Sequence, residues 1–115
     1  MHKITQRADF DEVMAAGVAV NTAHFALHQR SAADFSRIGA VVPKRLAKRA
    51  VTRNTIKRQI YSLAAQCLPQ ANAADRVVRL RREFDRRVFT SATSKALRVA
   101  VREELMQLFA NAPQP

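Results

Sequence analysis

The sequence predicts an α+β fold: a small mixed β-sheet packed with about three helices, in the order helix, strands, helix, strand, helix, as a two-layer sandwich. Three observations predict it. Apolar residues recur at helical spacing in three segments; they alternate with a period of two in shorter segments between them. Of the 115 residues, 48% are apolar, enough for one modest core. No repeat or low-complexity linker divides the chain, so residues 1–115 read as a single domain.

Residues 6 to 16 read as the first helix. Phe10, Val13, Met14 and Gly17 recur at helical spacing, and Asp9, Asp11 and Glu12 lie in early turns, where the helix dipole favours carboxylates. Gly17 is a natural stop. His24 to Arg30, with Phe25 and Leu27, alternates weakly as a strand, and Ala32-Ala33-Asp34 connects it to a second strand, Ile38 to Val42, bounded by Pro43.

The clearest helix runs from Ala50 to Gln66. At steps of about 100° per residue, Ile56, Ile60, Leu63 and Cys67 fall within an arc of roughly 60°. Asn54, Lys57, Arg58 and Tyr61 share an arc about 100° wide that faces largely away, with Arg53 nearer the boundary. Pro69 ends the helix. From Arg76 to Arg82, Val78 and Leu80 take one side of a strand, while Val77, Arg79 and Arg81 make the other side cationic. Ser91 to Thr93 offers a cap for a last helix with the stripe Leu97, Val101, Leu105 and Leu108. From Asn111 onward, with Pro113 and Pro115, the tail is expected to fray.

Charge narrows the function. Lys and Arg number 20 against 9 acids, a net charge of +11. No acid occurs between Asp34 and Asp75, whereas Arg37, Lys44, Arg45, Lys48, Arg49, Arg53, Lys57 and Arg58 all fall in that interval. Such one-sided charge opposes compaction and fits a polyanionic partner. Each cation that meets a phosphate releases condensed counterions, and Arg adds a planar fork for phosphates and base edges. Asn54, among them, both donates and accepts. These features reach nucleic-acid binding without separating RNA from DNA. The helix 50–66 lacks the short preceding helix and tight turn of a helix-turn-helix, which weighs against a DNA-binding or ribosomal-type module.

Other chemistry is poorly represented. Cys67 is the single cysteine, expected to be a buried structural thiol, and His2, His24 and His28 do not make a zinc set with it. Acids are few: Asp9, Asp11 and Glu12 fit the first helix and Glu103 and Glu104 the last, and none pairs with a histidine at useful spacing, as an independent protein nuclease would require. With only Gly17 and Gly39, no Gly-rich phosphate loop exists. The amino terminus has no apolar stretch of a signal peptide, and no apolar run is long enough to span a bilayer, so a cytoplasmic protein is expected.

Arg53-Asn54-Thr55-Ile56-Lys57-Arg58, preceded by Arg37-Ile38-Gly39-Ala40-Val41-Val42-Pro43-Lys44-Arg45 and by Ala50-Val51, resembles the bacterial ribonuclease P protein subunit. Arg7, Phe10, Val13 and Gly17 match its first helix, Phe25-Ala26-Leu27 its first strand, and Asp75-Arg76-Val77-Val78 its last, so the resemblance covers residues 3 to 108. It implies a fold with an unusual left-handed β-α-β crossover, and a protein that assists a catalytic RNA in removing the 5′ leader of precursor tRNA. RNA-subunit contact is thereby implied for Lys44, Arg45, Lys48, Arg49, Arg53, Asn54, Lys57 and Arg58. A leader-binding cleft is implied at Phe10, Met14, His28, Val41 and Arg79. The resemblance further implies Mg²⁺ held mainly by RNA with no cofactor intrinsic to the chain, and catalytic RNA and precursor tRNA as partners; no membrane and no obligate protein partner is expected. Thr55, Tyr61, Ser62 and Met14 depart from the family pattern; Thr55 can still contact a phosphate and Tyr61 can stack or hydrogen-bond.

Overall fold

The computed structural model describes residues 2–68, 73–85 and 95–113. Along the chain these form β1 (His2–Lys3), α1 (Arg7–Ala15), β2 (Val18–Asn21), β3 (Phe25–Ser31), β4 (Arg37–Val41), α2 (Ala50–Cys67), β5 (Ala74–Leu80) and α3 (Lys95–Ala110). The expected cap at Ser91–Thr93 and the helix-ending Pro69 lie outside the described residues.

One five-stranded sheet has the order β1-β4-β5-β3-β2. β4 and β5 are parallel neighbours, with Gly39 opposite Val77, and α2 joins them as a β-α-β unit. β3 pairs antiparallel with β5, from Phe25 opposite Leu80 to Ser31 opposite Ala74. The sheet is therefore mixed, as expected, with β5 at its centre.

Because strand side chains alternate, β5 presents Asp75, Val77 and Arg79 to one side and Arg76, Val78 and Leu80 to the other. Both Val77 and Val78 are fully buried. The helices therefore do not make a second layer on one side only. α2 and α3 cover the face of Phe25, Leu27, Ile38, Ala40, Val78 and Leu80, through Ile56, Ile60, Leu63, Leu97, Val101, Leu105 and Leu108. α1 covers the opposite face, where Val13 packs with Ile4 and Val77, and with the half-buried Phe10, Met14 and Val41. A strand apolar on both sides needs cover on both, so the sheet lies between helical layers.

Several local expectations change. β1 and β2 escape the periodicity: β1 is two residues long, and β2 is a largely exposed edge strand with a bulge between Val18 and Val20. Gly17 ends α1 as expected, with φ +92°. Cys67 is exposed, although it continues the apolar stripe of α2. The stripe outruns the core at the last turn, and Leu68, with extended backbone, turns in and is buried instead. The tail does not fray at once: Gln29 Nε2 donates to the carbonyl of Pro113 at 2.7 Å. Arg76 is buried on the α2/α3 face, its Nε donating to Gln29 Oε1 at 3.2 Å and its Nη1 without a partner. Burial lowers its pKa.

Candidate nucleic-acid interface

Two surfaces gather the residues singled out by the sequence. The first is α2 with the segment 42–49 before it. Val42 and Ala47 are buried and fix that segment to the core, leaving Lys44, Arg45, Lys48 and Arg49 exposed. The amides of Leu46 and Ala47 donate to the Pro43 carbonyl at 3.0 and 3.1 Å, closing a turn. Arg53 Nη1 reaches back from the helix to the carbonyls of Ala47 and Lys48, both at 2.9 Å. One of its donors thus ties the loop to α2 while the side chain stays half-exposed.

Asn54 and Arg58 are exposed and Lys57 is half-buried on the same helix. Arg49 at the N-cap makes no side-chain cap, and no acid lies in the first turn. The helix therefore presents its positive end, with unsatisfied amides, next to Lys48 and Arg49. Among the described residues, Lys44, Arg45, Lys48, Arg49, Lys57 and Arg58 form no ion pair, whereas Arg7, Arg30 and Arg37 do. Among the described residues, this surface carries positive charge that no carboxylate neutralises.

Two motif departures have structural partners. The Thr55 hydroxyl donates to the Val51 carbonyl at 2.9 Å, so its proton is directed to the helix itself and not to a phosphate. Tyr61 is half-buried against the core, and Lys3 Nζ lies 4.4 Å from its ring centroid, which occupies that face. Tyr61 therefore does not belong wholly to the polar arc, because the side of α2 facing β1 is covered.

The second surface lies between α1 and the sheet, and it brings together all five cleft residues. Phe10 rests its ring on Gly39: an ideal Cβ there would lie 2.3 Å from Phe10 Cε1. Met14 and Val41 flank the same apolar patch. His28, opposite Val77, is 5% exposed and its Nδ1 lies 2.9 Å from the Gly17 carbonyl. Arg79 Nε points at His28 Nε2 at 3.3 Å. Burial, and secondarily the charge of Arg79, push the His28 pKa below its ordinary 6.5, against the opposing hydrogen bond to Gly17.

Beyond this patch the same face closes with an ion network that the sequence did not reveal. Arg37 grips Asp75 with both Nε and Nη2 at 2.9 Å and reaches Asp9 on α1 at 3.1 Å. Arg30 joins Asp75 at 3.3 Å to Glu12 on α1 at 2.6 Å. The Arg37 hydrogen bonds, helped by both positive charges, outweigh burial and hold the Asp75 carboxyl below its usual range. Here positive charge is answered by carboxylates, the opposite of α2.

The fold also pairs an acid with a histidine, which the sequence spacing did not suggest. Glu104 on α3 meets His24 Nδ1 at 2.6 Å and accepts from the Thr22 hydroxyl and the His24 amide at 2.6 and 2.7 Å. The His24 ring stacks on Phe84, with centroids 3.9 Å apart. A carboxylate bound by this many donors ties the β2–β3 turn to α3 and is poorly placed as a general base. Among the described residues, no three His, Cys, Asp or Glu side chains gather as a metal-binding group, and no helix is long and apolar enough to cross a membrane.

Comparison with known proteins agrees with this geometry. The Ribonuclease P family model matches residues 1–107. The ribonuclease P protein component of Ralstonia pickettii is 37% identical over 98% of this chain and 80% of its own length. That of Azoarcus sp. is 33% identical over 98% of this chain and 88% of its own. In fold, the RNase P protein of Thermotoga maritima superposes with a TM-score of 0.70 at 24% identity, covering 99% of this chain and all of the other. The Staphylococcus aureus RNase P protein gives 0.70 at 22%, covering 96% and 94%. The chain belongs to the ribonuclease P protein family and serves as a protein subunit of that tRNA-processing ribonucleoprotein.

Proposed function

We propose that the chain contacts the catalytic RNA through the surface of 44–58 and holds the single-stranded 5′ leader of precursor tRNA in the cleft between α1 and the sheet. One observation carries this reading: among the described residues the cations of 44–58 lack carboxylate partners, whereas Arg30 and Arg37 beside the cleft are neutralised. Unneutralised cations around an uncapped helix end suit a folded RNA backbone, whose binding then falls steeply with salt. Half-buried Phe10, Met14 and Val41 beside Arg79 suit unpaired bases of varied sequence.

The catalytic centre lies in the RNA, in this reading, because carboxylates that would serve hydrolysis are otherwise engaged. Asp9, Glu12 and Asp75 bind arginines, and Glu104 binds His24 and Thr22. Mg²⁺ then belongs to the complex, held by RNA oxygens and water, with none bound by the chain alone. The protein offsets phosphate repulsion and grips the leader in the cytoplasm, where tRNA precursors are processed.

Reconstitution with the catalytic RNA at low Mg²⁺ tests this. Adding the chain should raise cleavage of precursor tRNA and favour binding of precursor over mature tRNA. Cleavage by the purified chain alone, or equal binding of the two tRNAs, would contradict it.

A further inference from the structure

Resting on the leader-binding reading above, one element of the cleft has a sharper role. His28 on β3 and Arg79 on β5 are diagonal neighbours on the α1 face, since His28 pairs with Val77 and Arg79 with Ala26. The Arg79 Nε always carries a hydrogen, so at 3.3 Å the His28 Nε2 is the acceptor. The other nitrogen, Nδ1, then carries the imidazole proton and donates to the Gly17 carbonyl at 2.9 Å. Only this neutral tautomer satisfies both contacts. Gly17 is held in turn at the end of α1, its amide donating to Met14 at 3.1 Å. A chain of bonds therefore runs from the end of α1 through a buried imidazole to a half-exposed guanidinium.

The surroundings fit a neutral ring. Facing His28 from β5 are Val77 and Arg79, with Asp75 beyond; along β3 on the same face lies Arg30, paired to Asp75 and Glu12. From α1 and its end come Met14 and the Gly17 carbonyl, and from β2 comes Val18. No carboxylate on these elements bonds to the imidazole among the described residues. Arg79 Nε is held, while its two terminal nitrogens have no hydrogen-bond partner among the described residues.

We propose that His28 is a positioning residue: it accepts the Nε–H of Arg79 and so aims the outer edge of that guanidinium across the cleft at a phosphate of the single-stranded leader. Fixing one end of a long flexible side chain removes part of the ordering cost of binding, and the terminal nitrogens match a phosphate in a two-pronged contact.

Two substitutions separate the contacts of His28. His28→Asn keeps a donor near Gly17 but loses the acceptor toward Arg79; His28→Gln places an acceptor near Arg79 and loses the donor. The holoenzyme, reconstituted with catalytic RNA, is titrated with precursor tRNA and with mature tRNA, and each variant is checked for folding by thermal denaturation. Arg79→Ala should weaken precursor binding about tenfold, the scale of one charge-assisted hydrogen bond, with mature tRNA unchanged. His28→Asn should weaken precursor binding about threefold or more, His28→Gln should stay within about twofold of wild type, and His28→Asn with Arg79→Ala together should be no worse than Arg79→Ala alone. If the effects of His28→Asn and Arg79→Ala multiply, or if folded His28→Gln falls with His28→Asn, the positioning role is overturned while the cleft reading stands. If Arg79→Ala leaves the preference for precursor intact, the assignment of Arg79 to the leader fails, and the positioning role with it.

Discussion

Gly39 lets the Phe10 ring of α1 lie directly on the sheet, and Gly39→Ala should disturb that contact in a way that can be calculated in advance. An ideal Cβ would lie 2.3 Å from Phe10 Cε1, 2.9 Å from Cζ and 3.1 Å from Cδ1. Carbon atoms in contact prefer about 3.5–4.0 Å, so the ring must retreat by more than about 1 Å. The glycine is required by this approach of a ring, since Gly17 is the glycine with a positive φ. Phe10 cannot sink further, because Val13, Val77 and Ile4 beneath α1 are buried. The ring therefore swings toward solvent or α1 lifts, at a cost of about 1–3 kcal/mol, typical of overpacking. For a domain of this size that lowers Tm by roughly 5–15 °C. Urea denaturation should show a lower midpoint with an unchanged m-value. The double variant Phe10→Ala with Gly39→Ala isolates the cause: once the ring is gone, adding the methyl should cost less than about 0.5 kcal/mol. Strictly additive losses in Phe10→Ala, Gly39→Ala and the double variant would refute the contact as the reason for this glycine. In the holoenzyme, Gly39→Ala should reduce the preference for precursor over mature tRNA while leaving affinity for the catalytic RNA within about twofold, because the basic face of α2 is untouched.

Other consequences follow from the same geometry. Arg58→Ala should lower the salt slope of RNA-subunit binding by about 0.9 for the lost phosphate contact without changing Tm, whereas Arg53→Ala should also destabilise the domain by about 1 kcal/mol, because Arg53 ties Ala47 and Lys48 to α2. Salt titrations paired with melting curves distinguish the two, and an unchanged slope for Arg58→Ala would remove it from the interface. The His28 pKa is lowered in the folded state, so as pH falls below 6.5 the unfolded chain takes up the proton first and this part of the stability is lost down to the folded value. The stability difference between wild type and His28→Gln should therefore shrink from pH 7 to pH 5; a constant difference would count against the neutral imidazole. Arg76→Met removes a buried cation with an unpartnered Nη1 and leaves the half-exposed Gln29 to water. Urea denaturation should show no loss, or a gain of up to about 2 kcal/mol; a loss above 2 kcal/mol would mean that the guanidinium is satisfied in solution.

Much of this molecule was legible in the sequence because local periodicity reports which side of an element is buried. The stripes Ile56, Ile60 and Leu63 and Leu97, Val101, Leu105 and Leu108 are buried as their spacing requires, and β3, β4 and α2 lie within a residue of their expected bounds. The uninterrupted cations from Arg37 to Arg58, together with the Arg-Asn-x-x-Lys-Arg pattern, marked the basic surface and the family. Periodicity carries no information about which distant element supplies the cover. Only the tertiary structure placed α1 against the second face of the sheet, left Cys67 exposed beyond the core, and divided the arginines into those paired with Asp9, Glu12 and Asp75 and those left open on α2. It alone joined His24 to Glu104 and His28 to Arg79, partners 80 and 51 residues apart. Hydrophobic spacing is a property of neighbours along the chain, whereas a charge or hydrogen bond is settled by whatever the completed fold brings within about 3 Å.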